Sequence, residues 1–100
     1  MSLFFVRHQH STNTCPAKDP EMGQILLSHL SPPNARKFGV SILGDAVLDN
    51  QHTMVLIVEA NQKNSVEDFM QPFQMAGSVE IWPASSCEVV VDRAGCETPA

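Results

Sequence analysis

Residues 52–60, His52-Thr53-Met54-Val55-Leu56-Ile57-Val58-Glu59-Ala60, decide the fold. The unbroken apolar run from Met54 to Val58, rich in β-branched types, marks a central strand buried on both faces. Upstream, Asp49-Asn50-Gln51 is a tight connection, and Val40 to Leu48 reads as the preceding strand, with Gly44 as a bulge or bend. Downstream, Ser65 with Asp68 three residues later is a capping-box-like start. The helix that follows has Val66, Phe69, Met70 and Phe73 as its buried stripe. Gly77 releases the chain into Ser78 to Trp82, a strand closed by Pro83.

Further out, Leu3 to His10 reads as the first strand, aromatic and β-branched at its centre and polar only at its end. Asp19-Pro20-Glu21 is a helix start, with an N-cap, a proline at the first helical position and an acid in the first turn. Met22, Ile25, Leu26 and Leu30 then follow helical spacing, and the Met22/Leu26 pair is expected in the core. Ser31-Pro32-Pro33 breaks that helix, and Asn34 to Phe38 makes a short turn ended by Gly39. The tail from Ser85 to Gly95 is ambiguous: Ser85 and Glu88 suggest a capped helix, Val89-Val90-Val91 a strand.

The order is β-α-β-β-α-β, an α+β ferredoxin-like plait with a four-stranded antiparallel sheet. Right-handed crossovers are expected to set strands one and three side by side and parallel in the centre, strand four outside one and strand two outside three. Helices cover one face, so the other is expected to bury itself against a second copy. Residues 1–100 form one domain, with a core of about 3–83 and an extension over 84–100.

The segments Phe4-Phe5-Val6-Arg7-His8, His52 to Ala60 and Gly77-Ser78-Val79-Glu80-Ile81-Trp82-Pro83 resemble the dimeric α/β-barrel superfamily. Those are small bacterial proteins in which two ferredoxin-like sheets pack face to face. The resemblance is closer to single-domain members of the group, one branch of which binds nickel. It implies a homodimeric α/β barrel.

An apolar fraction of 43% suits a folded globule rather than a disordered chain. A net charge of −5 with only six Lys plus Arg argues against nucleic acid and anionic membranes as partners. No apolar stretch approaches the roughly 18 residues of a membrane span. Met1 to Arg7 shows no signal-peptide pattern, so a cytoplasmic location is expected. Three cysteines, an odd number, do not make a disulfide framework.

The sharpest chemistry lies in Arg7-His8-Gln9-His10-Ser11-Thr12-Asn13-Thr14-Cys15-Pro16. Alternate strand residues share a face about 6.6 Å apart, so His8 and His10 stand side by side, and Cys15 follows after a loop able to fold back. Two imidazoles and a thiolate select a late transition metal, copper, nickel or zinc, over magnesium or calcium. The spacing matches none of the diagnostic zinc patterns. The competing view makes the histidines partly exposed strand ends and Cys15 a small residue before a proline.

On the parallel placement, Glu59 falls beside His8 and His10, as a fourth ligand or a group orienting one imidazole. Its bland alternative is a solvated strand end paired with Arg7 or Lys63. His52 falls at the opposite edge and meets His8 only across a dimer interface. Cys87 is expected buried and Cys96 exposed and reactive, the two being further soft ligands or forming a redox pair with Cys15. His29 is expected to be structural, a cation near a helix C-terminus, and Trp82 part of a packed barrel rim.

Three functions remain open. One is a transition-metal-binding protein for storage, sensing or delivery, with His8, His10, Cys15 and Glu59 as ligands. Another is a dimeric α/β-barrel enzyme of monooxygenase or isomerase type, with a histidine base in an apolar cavity. The last is a structural or stress-associated dimer.

Overall fold

The computed structural model describes residues 1–98; Pro99 and Ala100, the end of the predicted extension, lie outside it. Its strands are β1 (Ser2–His10), β2 (Val40–Leu48), β3 (Thr53–Ala60) and β4 (Gly77–Ala84). Its helices are α1 (Pro20–His29), α2 (Pro32–Lys37), α3 (Lys63–Gln74) and α4 (Cys87–Asp92), with two 3₁₀ turns at Thr12–Thr14 and Pro16–Lys18. The molecule is α+β, its four strands forming one sheet in the order β2-β3-β1-β4. That arrangement is compatible with a ferredoxin-like plait.

Every neighbouring pair is antiparallel, including β1 with β3. This corrects the expected parallel central pair. The crossover from β1 through α1 and α2 returns the chain in its original direction, and the tight β2–β3 connection then reverses it. Ser2 consequently faces Ala60 and Gln9 faces Thr53. The correction moves His52 to the His10 end of the sheet and Glu59, opposite Leu3, to the far end.

Alternation along β1 sends Phe4, Val6 and His8 to the helix-covered face, where all three are buried. They join Leu56 and Val58 of β3 and Val66, Phe69 and Met70 of α3 in the core. The α3 stripe is the expected one, but the helix starts at Lys63, with Gln62 in the N-cap position and no side-chain cap, so Ser65 and Asp68 lie inside it. At α1 the Asp19 carboxylate accepts from the Glu21 N–H at 2.9 Å, as an N-cap should. No residue of α1 is buried, and Met22 is 47% exposed, so Met22 is not core.

The tail resolves as a helix, capped by Ser86 rather than Ser85, and Cys87 is exposed along with Cys96. The β2 edge carries a bulge between Ile42 and Gly44, and β4, the other edge, accommodates Pro83 opposite Phe4. Proline has no N–H to give a further strand, which suits an edge. The uncovered face presents Phe5, Ile57 and Trp82, with the Phe5 and Trp82 rings 5.8 Å apart. Trp82 is half exposed there, beside the Arg7–Glu80 ion pair.

Candidate metal centre

His10 closes β1 on the helix side of the sheet, which places the histidines beneath the helices and away from the open face. Its N–H donates to the carbonyl of His52 at 3.1 Å, tying the strand end to the β2–β3 connection. That connection is sharp: Asn50 and His52 both have left-handed backbones, with φ of 65° and 49°. For an L-residue this conformation costs roughly 1 kcal/mol, and such strain gathers at functional sites. Here it turns His52 toward His10, the two rings meeting edge to face at 5.3 Å.

The loop after β1 brings the thiol. Two 3₁₀ turns flank Cys15, whose N–H donates to the Thr12 carbonyl. Thr14 holds the loop to the far side of the sheet end by donating its hydroxyl to the Ala76 carbonyl at 3.1 Å. Cys15 Sγ and one nitrogen from each of His10 and His52 then lie within 4.8 Å of one another. Bonds of about 2.0–2.3 Å put tetrahedral donors roughly 3.5 Å apart. Small side-chain rotations therefore bring the three onto one ion.

His10 is the unusual member. Nδ1 and Nε2 are both buried, and neither has a hydrogen-bond partner. Buried polar atoms are nearly always paired, so two orphans on one ring are an exception that calls for an explanation. Burial, and then the like charges that His8 and His52 would carry, push the His10 imidazole below its ordinary pKa. It therefore presents a lone pair on one nitrogen rather than a cation at neutral pH, as metal ligation requires. His52 also lies 3.3 Å from the Thr12 hydroxyl, a contact that orients its ring.

His8 is a neighbour of this group and outside it. It is 3% exposed, stacks on His10 with ring centroids 5.2 Å apart, and meets Phe73 edge-on. Its Nδ1 donates to the Ser78 carbonyl at 3.0 Å, which leaves Nε2 as the lone-pair nitrogen of the neutral ring. Desolvation lowers its pKa, opposed by that carbonyl.

Of the four ligands read from the sequence, the structure brings together His10 and Cys15, sets His8 alongside and separates Glu59. Glu59 borders a different cavity, with Leu3 and Leu43, at the other end of the sheet, so it neither ligates here nor orients an imidazole. The missing member is His52. Its signal was present in the strand order, since three antiparallel neighbours place the start of β3 beside the end of β1. His29 stands apart and is structural: Nε2 donates to the Phe69 carbonyl at 2.8 Å and Nδ1 accepts from Asn34. Both its ring nitrogens are thus engaged within the fold.

Comparison with protein-family models, with curated proteins and with solved structures finds no match to the chain.

Proposed function

We propose that this protein binds a single late transition-metal ion, copper, nickel or zinc, through His10, Cys15 and His52, in storage, sensing or delivery. The observation that carries the reading is His10, with two buried, unpartnered ring nitrogens next to a thiol and a second imidazole. Soft thiolate and borderline imidazole donors match those ions. Three protein ligands leave a fourth position for water or another molecule.

Cobalt(II) titration of the untagged protein tests it, because a bound thiolate gives cobalt a charge-transfer band that water and imidazole do not. One equivalent is expected to bind, with the band lost in Cys15→Ser and stoichiometric binding lost in His10→Ala and His52→Ala. Glu59→Gln and a Cys87→Ser/Cys96→Ser double variant are expected to bind normally. Full binding by Cys15→Ser, or its loss in Glu59→Gln, would overturn the reading.

The same proposal includes a second copy of the chain on the open sheet face. Ile57 is 46% and Trp82 42% exposed there, around Phe5. Apolar residues grouped in this way mark an interaction surface. Arg7 and Glu80 neutralise each other at the centre of that face, which lets two copies meet without like-charge repulsion. Copies joined through it would carry their metal groups on the outer, helix-covered sides.

A further inference from the structure

We infer that the fourth position of the metal opens onto a pocket for a small apolar molecule bearing one anionic oxygen donor, so that metal and weak acid bind together. This rests on the metal reading above and adds the class of ligand. His10, Cys15 and His52 line a cavity of about 180 Å³, whose other walls include Leu26, Met54 and Phe73. A second cavity of about 250 Å³ abuts it, sharing His8, Pro16, Leu26 and Phe73, and runs out between α1 and α3. Its outer walls are Met22 and Ile25 on one side and Pro72 and Ala76 on the other.

That groove explains why Met22 and Ile25 of α1 stay exposed. The helix meets α3 through His29, and Leu26 packs on the core, yet Met22 is 47% and Ile25 56% exposed along the groove. A space of this size suits one aromatic ring on a short chain, and no cationic side chain lines either cavity. An acid therefore has only the metal to neutralise it.

The charges then select the donor. Asp49, the one acid lining the first cavity, is exposed, so water screens its charge, and a divalent ion with two neutral imidazoles and one thiolate carries a local net charge of +1. Unbalanced charge is costly in apolar surroundings. One monoanionic donor makes the assembly neutral, while a neutral donor leaves the charge and a dianion reverses it. The apolar body fills the groove and the oxygen takes the open position.

The test uses the cobalt(II)-loaded protein, with phenylacetate, phenol and acetate titrated against the cobalt d–d bands. Phenylacetate, phenol or both should perturb the bands with half-saturation at least about tenfold below acetate, a difference of one decade in affinity. Which of the two aromatic acids does so identifies carboxylate or phenolate as the donor. Ile25→Glu, at an exposed position that leaves the fold intact, should weaken the aromatic acid at least about tenfold while acetate and cobalt binding stay unchanged. Equal affinities for acetate and both aromatic acids, or an unaffected Ile25→Glu variant, overturn this inference and leave the metal site standing. Absence of the thiolate band in the starting protein removes both.

Discussion

At His10 the ligand-free protein bears a cost, since a buried polar group without a partner weakens folding by about 1–3 kcal/mol. His10→Leu removes the two orphan nitrogens while filling similar space. The variant is expected to unfold at higher denaturant concentration than the metal-free parent, by about 1 kcal/mol, and to bind no metal. A less stable variant would mean that the ring is satisfied in solution by the protein itself. The pH dependence follows from the same residues. Unfolded, His8 and His10 protonate near their ordinary value of 6.5; folded, burial delays this to lower pH. Below 6.5 the unfolded chain thus holds more protons, and stability rises with pH wherever that is so. The metal-free protein should be at full stability above pH 6.5 and lose it as pH falls through the folded values. Denaturant midpoints between pH 7.5 and 5 check this, and the slope should be shallower in His10→Leu.

Among the elements, β4 depends on Gly77. It opposes His10, and a methyl group there would run into the carbonyl oxygen of Gln9. Gly77→Ala is expected to cost about 1–3 kcal/mol, the range for forcing atoms into filled space, and to weaken metal binding by shifting the strand end that carries His10. Gly44→Ala is the contrast, because a Cβ there meets nothing within 4 Å, and its change should stay within about 0.5 kcal/mol. Denaturant midpoints of both variants decide the matter. Elements of this kind were readable from sequence where periodicity and caps agree, as at Asp19 and along Val66, Phe69, Met70 and Phe73. Direction was harder. Nothing local in β1 or β3 states their relative sense; it comes from counting chain reversals, and one parallel assignment exchanges His52 for Glu59. The centre was therefore legible at His10 and Cys15, which share one strand and loop, and hidden at His52, which reaches them only through topology. Spacing in α1 also misled, because a stripe at helical period reports an apolar face without saying that anything covers it.

At the scale of the molecule, the proposed pairing of two copies rests on the open sheet face. The wild-type chain is expected to run at twice its chain mass in solution, and Ile57→Lys, at a half-exposed position, to shift it to a monomer with an unchanged circular dichroism spectrum. A monomeric wild type at micromolar concentration would sink the second-copy proposal. No helix among the described residues is long and apolar enough to cross a membrane. The sheet edges bear on what kind of assembly can form. A bulge followed by Asp45 interrupts the outer rim of β2, and Pro83 denies a hydrogen-bond donor on β4. Both are devices that discourage one chain from extending the sheet of the next. Stacking of a second copy on the face would therefore end at a closed pair, whereas ribbon-like growth, which an unguarded rim invites, would find no regular ladder to continue.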